Sequence, residues 1–283
     1  MNRKCVLFNP KAGNNKCCDE IDVLWAAYDE VDYYDITRIV SYEQFFAELD
    51  ETDDIILCGG DGTLNRFAND ICGLEIKNDL YLYPVGSGND FARDLGHGFG
   101  DAPNFRINGY LKNLPRVTVN GKECLFLNNV GFGIDGYCCE AGDKYRENGK
   151  KADYTAIAVK GLLNGFNPVN AAVTVDGVRH EFKNVWLAPT MFGRFYGGGM
   201  MPTPNQNRKS NDRTLSVMIM HGSGKLKTLM IFPKIFKGTH VKYKDYVEIL
   251  TGKEITVEFD RLASVQIDGE TVLNVTSYTA VID

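Results

Sequence analysis

Three glycine-bearing turns, each directly after a predicted β-strand, constrain the fold of this chain most strongly. The turns span residues 9–13, 59–63 and 86–90. The short apolar strands before them span residues 4–8, 54–58 and 81–85, and a further strand is predicted at 33–40. Helical patterns separate the strands, at residues 17–28, 42–49, 64–71 and 89–95. Strands that alternate with helices indicate a parallel sheet covered by helices.

The character of the sequence changes after Pro115, where β-rich runs replace this alternation. The runs span residues 116–119, 125–130, 171–175, 185–189, 215–220, 241–250, 254–259, 264–267 and 272–275. Helical patterns interrupt them at 151–163 and 225–237, and the pairs Asn120-Gly121, Asp176-Gly177 and Asp268-Gly269 are typical of hairpin turns. We therefore predict an α/β domain with a parallel sheet over residues 1–112 and a mostly antiparallel β-sandwich over 113–283. The C-terminal end of the chain could pack back on the first domain.

Composition limits the classes of function. Lys and Arg total 31 and Asp and Glu total 37, so the net charge of −6 argues against a nucleic-acid partner held by overall charge. No run approaches the roughly 18 apolar residues of a membrane span, and the first apolar run is shorter than the ~7–15 residues of an export signal. The eight cysteines form no C-x-x-C pair, so we expect free thiols and a cytoplasmic protein.

The backbone of the three turns suits phosphate binding. In an open parallel sheet ligands bind beyond the C-terminal strand ends, so the three turns should meet along one edge. Turns that lack side chains let N–H groups approach phosphate oxygens, and the following helix N-termini add favourable dipoles. Thr63 and Ser87 can donate hydroxyl groups, and Asp61 could hold Mg²⁺ directly or through water. The sequence therefore predicts nucleotide binding at this edge.

Residues 131–136 also read G-x-G-x-x-G, a pattern found in dinucleotide-binding folds. The residues that follow, 137–139, start a helix poorly, and no clear second strand carries an acidic residue about 20 positions further on. We therefore expect this glycine loop to line a cleft between the domains rather than to bind a dinucleotide.

Seven motifs, taken together, identify a family that the chain resembles. They are NPKAG (9–13), GGDGTLN (59–65), GSGNDFARDLG (86–96), GFGID (131–135), GGGM (197–200), Asp212-x-x-Leu215 and Asp268-Gly269-Glu270. Their order and types resemble the diacylglycerol kinase catalytic family, which includes sphingosine and ceramide kinases and soluble bacterial lipid kinases. GGDGT is shared with NAD kinases, whereas GSGNDFAR favours the lipid kinases.

The resemblance implies a site in the cleft between an α/β nucleotide domain and a C-terminal β-sandwich. ATP would be held by Asn9, Pro10, Lys11, Ala12, Gly13, Gly59, Gly60, Asp61, Gly62, Thr63, Asn65, Ser87, Asn89 and Asp90. Asp61 would orient Mg²⁺ at the phosphates, and Glu270 or Asp268 would be the general base. A structural Mg²⁺ loop would fall on Lys209, Asp212 and Thr214. From the residues alone, Asp268-Gly269 is simply a type I′ hairpin turn.

The resemblance also implies a function, an ATP- and Mg²⁺-dependent lipid kinase that phosphorylates a hydroxyl group of a diacylglycerol-like lipid. Such an enzyme meets its substrate at a bilayer, so we expect peripheral association with the inner face of the membrane. The basic and apolar residues 225–240 suit such a contact, although the helix there can also pack one face on the sandwich. Family members are often dimers, so a homodimer is expected.

Two alternatives stay open. A soluble-substrate kinase of the NAD kinase type shares the GGDGT motif. A relative that binds nucleotide or lipid without catalysis is suggested by two departures from the family pattern. Arg66 stands where Glu is customary, and Arg213 stands where Gly usually follows the Asp of the metal loop.

Overall fold

The computed structural model describes residues 3–10, 28, 30–98, 105–150 and 152–283. The chain divides into two compact units, Met1–Leu114 and Pro115–Asp283. The helix predicted at 17–28 and the site residues Lys11, Ala12 and Gly13 lie outside the described residues, apart from Tyr28.

A twisted parallel sheet forms the centre of the N-terminal unit. Its strands, within the described residues, are β1 Lys4–Phe8, β2 Val31–Asp35, β3 Asp54–Gly59, β4 Asp79–Pro84 and β5 Phe105–Arg106. The order is β2-β1-β3-β4-β5; the first four strands are parallel, and only the short edge strand β5 is antiparallel. All six residues of β3 are buried, as is typical of a central parallel strand covered on both faces. The predicted parallel α/β sheet is therefore confirmed.

The described helices of this unit are α1 Tyr42–Ala47, α2 Asp61–Asp70, α3 Asp90–Leu95 and α4 Asn108–Leu111. The first three begin within three residues of the predicted starts, whereas α4 was not predicted. Ser41 Oγ accepts a hydrogen bond from the backbone N–H of Gln44 at 3.3 Å and caps α1. The strand predicted to run to residue 40 ends at Asp35 because its carboxylate accepts from the N–H of Thr37 and starts a 3₁₀ turn.

Antiparallel pairing dominates the C-terminal unit. Its described strands are β6 Arg116–Val119, β7 Lys122–Leu125, β8 Asn129–Phe132, β9 Val169–Val175, β10 Val178–Val185, β11 Thr190–Met191, β12 Leu215–Met220, β13 Val247–Gly252, β14 Glu254–Ile267 and β15 Glu270–Val281. The long strand β14 pairs with β15 along one side; on the other it pairs first with β9 and then with β8. Two register shifts between Glu258 and Val265 allow this change of partner. The predicted antiparallel character is confirmed.

Several strand predictions in this unit were wrong in detail. The run 125–130 is broken between β7 and β8. In the run 185–189, Val185 ends β10 and Leu187 forms isolated bridges to Gly133 and Met220. The strand predicted at 241–250 begins at Val247, because Thr239–Lys242 is a 3₁₀ turn. β10 was missed because its exposed face carries charged side chains, so it lacks an apolar run.

Within the described part of this unit, three helices pack on the sheet. They are α5 Ile134–Glu147, α6 Tyr154–Lys160, which continues as a π turn over Gly161–Gly165, and α7 Lys225–Ile231, which continues as a 3₁₀ turn over Phe232–Lys237. The last two helices were predicted. The expectation that residues 137–139 start a helix poorly was wrong, because they lie inside α5. The helices and the sheet share one buried core, which includes Leu162, Phe166, Trp186, Ile231 and Ile235. In the part of the chain described, no helix is long and apolar enough to cross a bilayer.

Candidate functional site

The described residues of the three turns lie side by side at the C-terminal edge of the parallel sheet. Asn9 Nδ2, after β1, donates to Thr63 Oγ1, after β3, at 3.2 Å. Gly60 and Gly86 approach so closely that a Cβ on Gly60 would lie 2.7 Å from the Gly86 Cα. Since a Cβ never approaches a backbone carbon so closely, both positions require glycine. The turns therefore form one continuous surface made largely of main chain.

The Asp61 carboxylate joins the second turn to the third. Its Oδ2 accepts from the N–H of Asp90 at 2.9 Å, and its Oδ1 accepts from the N–H of Phe91 at 2.8 Å. These are first-turn N–H groups of α3, which have no partner inside their own helix. Asn89, directly before α3, has a φ of 48° and accepts from the N–H of Gly86 at 2.9 Å. Asp61, from the second turn, therefore caps the N-terminus of α3, which follows the third turn.

The second turn leaves open space beside the start of α2. A Cβ on Gly62 would meet nothing within 4 Å, although Gly62 lies in the first turn of a ten-residue helix. The N-terminus of a helix presents unpaired N–H groups and a positive dipole end, which attract anions. Ser87 is exposed on the adjacent turn, and Asn65 is half-buried one turn along α2. This arrangement of backbone donors can hold phosphate groups.

Arg66, one of the two residues that depart from the family pattern, lies away from these contacts. Its side chain is largely exposed and approaches Asp70, one turn further along α2, at 3.8 Å. An exposed pair at this spacing contributes only about 0.3–0.5 kcal/mol. The substitution therefore leaves the hydrogen bonds of the glycine turns in place.

The two candidate bases in the C-terminal unit have different surroundings. Asp268 and Gly269, with φ of 46° and 92°, form the predicted two-residue turn between β14 and β15. The Asp268 carboxylate accepts from the N–H groups of Leu127, Asn128 and Asn129. At least three of its roughly four acceptor positions are thus occupied. Glu270 begins β15 and is exposed.

Arg208 is a neighbour of this turn that the sequence did not single out. Its guanidinium is buried and donates to the Leu127 carbonyl at 3.2 Å and to Asn128 Oδ1 at 2.7 Å. Asp268 and Arg208 therefore hold the same short segment from two sides. A sequence signal for this contact is lacking because the partners lie about 80 residues apart.

A buried polar cluster lies next to the same turn. Tyr196 donates to Asp135 Oδ1 at 2.8 Å, while Asp135 Oδ2 and Gln266 Nε2 are buried without a partner among the described residues. Both unpartnered atoms face Gly131, where a Cβ would lie 2.5 Å and 2.4 Å from them. Gln266 Oε1 accepts from the N–H of Gly269 at 2.8 Å. Gln266 thus supports the Asp268-Gly269 turn from beneath.

Burial raises the pKa of Asp135 to about 7, although the hydrogen bond from Tyr196 offsets part of the change. The same burial, together with the nearby Asp135 carboxylate, raises the pKa of Tyr196 well above its ordinary value. The Asp135 carboxyl group therefore keeps its proton to a higher pH than an ordinary Asp side chain does. Its place in the GFGID motif marked the position, but the sequence could not show that it is buried.

The glycines of residues 131–136 are explained by packing. A Cβ on Gly133, which has a φ of 95°, would lie 2.4 Å from the Trp186 carbonyl oxygen, and one on Gly136 would lie 1.7 Å from the Ser264 carbonyl oxygen. The motif therefore lets α5 lie directly on the neighbouring backbone, within the C-terminal unit. These contacts account for the glycines without a bound dinucleotide, and the expected place of the loop at a cleft between the domains stays a prediction.

The predicted metal loop supplies few ligands. Lys209 and Asp212 are exposed, and the Thr214 carbonyl accepts from Gln206 Nε2 at 2.6 Å. Among the described residues, no cluster of three or more His, Cys, Asp or Glu side chains is arranged to hold a metal ion. Asp61, the other predicted magnesium ligand, already accepts two backbone N–H groups. The described residues supply too few oxygen ligands to enclose a magnesium ion on their own, so coordination of Mg²⁺ by Asp61 or Asp212 stays a prediction.

Comparison with known proteins gives a consistent result for both units. Residues 3–115 match the diacylglycerol kinase catalytic domain, and residues 128–282 match the YegS C-terminal NAD kinase beta sandwich-like domain. A diacylglycerol kinase of Mycobacterium tuberculosis is 28% identical over 214 residues, which cover 73% of this chain and 67% of that protein. A diacylglycerol kinase of Bacillus subtilis is 24% identical over 283 residues, covering 95% and 90%. A crystal structure of a Bacillus anthracis protein, described provisionally as a diacylglycerol kinase, shares the fold with a TM-score of 0.70 at 22% identity, covering 100% and 92%.

Asp61→Asn should lower the free energy of unfolding by about 1–3 kcal/mol, because the Asn amide group would face one of the two N–H groups of α3. Urea denaturation measures this change. Asp70→Asn is the matched control, because Asp70 lies exposed at the other end of α2, the helix that Asp61 begins. It should change the free energy of unfolding by less than about 0.5 kcal/mol. Equal effects of the two substitutions would contradict the capping role.

Asp135→Asn should change how stability depends on pH. Between the ordinary pKa of 3.8 and about 7, folded Asp135 holds a proton that the unfolded chain releases, so wild-type stability falls as pH rises through this window. The Asn variant does not titrate, so it should gain roughly 3 kcal/mol relative to wild type between pH 4 and pH 8. Thermal denaturation across this range measures the difference.

Tyr196→Phe provides a second variant for the same experiment. It removes the hydrogen bond that lowers the pKa of Asp135, so the pH-dependent loss of stability should extend to higher pH. Parallel stability curves for wild type and both variants would show that Asp135 does not titrate in this window.

Proposed function

Because the chain belongs to the diacylglycerol kinase catalytic family, we propose that it transfers the γ-phosphoryl group of ATP to a hydroxyl group of a diacylglycerol-like lipid. The M. tuberculosis and B. subtilis relatives named diacylglycerol kinase support a lipid as the acceptor. The observation that carries the proposal is the shared surface of the glycine turns, in which the Asp61 carboxylate joins the second turn to the third.

The N-terminal unit would bind the phosphoryl donor. The start of α2, with open space beside Gly62, offers backbone N–H groups to phosphate oxygens, and Ser87 offers a hydroxyl group. Asn9 and Thr63 hold the first two turns together. Phosphoryl transfer depends mostly on positioning and on neutralising charge, which rigid backbone donors supply at little reorganisation cost.

The C-terminal unit would supply the proton acceptor. As the lipid hydroxyl oxygen bonds to the γ-phosphorus, the bond from that phosphorus to the β–γ bridging oxygen breaks and ADP leaves. The hydroxyl proton passes to a carboxylate, for which Glu270 and Asp268 are the candidates. Asp268 also holds residues 127–129, whereas Glu270 is exposed, so their loss has different consequences for the fold.

Transfer of ³²P from ATP to a panel of acceptors tests the proposal. The panel contains diacylglycerol, monoacylglycerol, phosphatidylglycerol, a sphingoid base and undecaprenol in mixed micelles, together with NAD in solution. We expect a labelled lipid and no labelled NADP. Labelling of NAD alone would favour the soluble-substrate kinase, and ATP binding by calorimetry without any labelled product would favour a non-catalytic relative.

The same assay separates the two carboxylates. Glu270→Gln should leave the melting temperature within about 1 °C of wild type; if Glu270 is the base, kcat should fall about 10²–10⁴-fold. Asp268→Asn should lower stability by about 1–3 kcal/mol because the Asn amide faces backbone N–H groups. If Asp268 is the base, its kcat loss will exceed that of Glu270→Gln at temperatures where both variants are fully folded. Full activity in both variants would remove this turn from the mechanism.

Gly62→Ala tests the nucleotide site without damaging the fold. The added Cβ meets no protein atom within 4 Å, and Ala favours a helix, so stability should stay the same or rise by up to about 1 kcal/mol. If phosphates occupy the space beside Gly62, the Kd for ATP should rise at least tenfold in calorimetry. Unchanged affinity for ATP would place the phosphates elsewhere.

A further inference from the structure

Positive charge is concentrated in two helical segments of the C-terminal unit. Residues 154–165 and 225–244 contain seven lysines and no Asp or Glu. The other residues therefore carry 24 basic and 37 acidic side chains, a net charge of −13, within a chain whose total is −6. If the flanking Asp153 and Asp245 are included, the net charge of the two segments is still +5. Such a local reversal of sign predicts an anionic partner.

The same two segments expose large apolar side chains. Of the eleven that are exposed among the described residues, six lie here: Tyr154, Val159, Leu163, Leu226, Met230 and Phe236. Leu226 is 82% exposed. The pairs Val159–Leu163 and Leu226–Met230 each span one helical turn, so each pair forms a ridge on the solvent side of its segment.

The apolar ridges are additional to the faces that hold the helices on the sheet. Leu162, Thr228, Ile231 and Ile235 are fully buried, and three of them belong to the core around Trp186. The helices are therefore already anchored, and core packing does not account for the exposed side chains. Soluble proteins rarely keep such apolar side chains clustered at the surface unless they bind something.

Direct contact makes the two segments one surface, which we call the basic helical face (154–165 and 225–244). Lys225 Nζ donates to the Leu163 carbonyl oxygen at 2.8 Å, which joins the start of α7 to the π turn after α6. Lys160, Lys225, Lys237, Lys242 and Lys244 are exposed. The remaining two lysines, Lys227 and Lys234, are half-buried over the ring of Tyr243, at 5.5 Å and 5.8 Å from its centroid.

We propose that the basic helical face docks on an anionic lipid bilayer. The lysines match the negative surface potential, and the apolar ridges match the boundary of the acyl region, the combination typical of interfacial helices. A second copy of the chain fits poorly, because the face would oppose its own seven lysines without an acidic residue to pair them. The inference deepens the proposed function, since a lipid kinase must reach its acceptor at a bilayer.

Vesicle co-sedimentation without ATP tests this inference independently of catalysis. The wild-type chain should bind vesicles of phosphatidylcholine with 40% phosphatidylglycerol at least tenfold more tightly than pure phosphatidylcholine vesicles. Leu226→Ser/Met230→Ser should weaken binding at least tenfold. The matched control Val40→Ser/Val178→Ser removes two exposed apolar side chains elsewhere and should stay within twofold of wild type.

A second pair of variants tests the electrostatic part. Lys160→Gln/Lys237→Gln should weaken binding to the anionic vesicles and reduce its dependence on salt, whereas Lys122→Gln/Lys183→Gln, with the same change of net charge, should not. The inference is overturned if wild type ignores anionic vesicles, or if the Leu226→Ser/Met230→Ser variant binds them as wild type does. It is also overturned if sedimentation velocity shows that this face forms a dimer without lipid.

Kinase assays then separate this inference from the proposed function. With a short-chain diacylglycerol below its micelle concentration, all four double variants should match wild-type activity. With diacylglycerol in anionic vesicles, only the two variants of the basic helical face should lose activity, about tenfold. A chain that binds vesicles but phosphorylates no lipid would refute the proposed function while leaving the docking face intact.

Discussion

The candidate nucleotide site depends on two hydrogen bonds that the Asp61 carboxylate accepts from N–H groups at the start of α3. They fix the distance between the turns after β3 and β4, and they allow Gly60 and Gly86 to touch through their backbones. Because Gly60 and Gly86 have no side chains, main-chain groups form the surface of the site where these two residues touch. A carboxylate suits the link between the two turns because each of its two oxygens can accept a hydrogen bond from an N–H group. An Asn side chain has only one acceptor oxygen and would satisfy only one of the two N–H groups.

The C-terminal unit uses the same chemistry in a different place. Asp268 accepts from three N–H groups of a segment between two strands, and Arg208 donates to that segment from another side. In both units a half-buried carboxylate fixes the backbone of a candidate site: Asp61 at the glycine turns and Asp268 at residues 127–129. The acidic residues of the family motifs are thus part of the architecture, and any catalytic part they take is added to that role.

The sequence was sufficient where local signals decide the structure. Strands β1, β3 and β12 and the capping residue Ser41 follow from apolar runs and from one hydrogen-bond preference, and the structure confirms them. The three glycine turns were predicted to meet because parallel strands end at a common edge, and their described residues do meet. The α/β character of the first unit and the antiparallel character of the second were therefore predictable.

The sequence failed where distant residues decide. The break between β7 and β8 depends on Asp268, and the start of α5 depends on glycines that pack against Trp186 and Ser264. The burial of Asp135 depends in the same way on Tyr196 and Gln266, which are remote in the chain. Neither propensity nor spacing contains this information, because each contact is specified by the tertiary packing of several elements.

The hydrogen bond that Asp268 accepts from the Leu127 N–H has a consequence for the order of folding. The two residues are 141 positions apart, so the hydrogen bond can form only after the intervening strands have been synthesised and have found their partners. Contacts of such long range carry a large entropy of loop closure and tend to form late in folding. The turn formed by Asp268 and Gly269 should therefore be among the last parts of the chain to acquire its native shape.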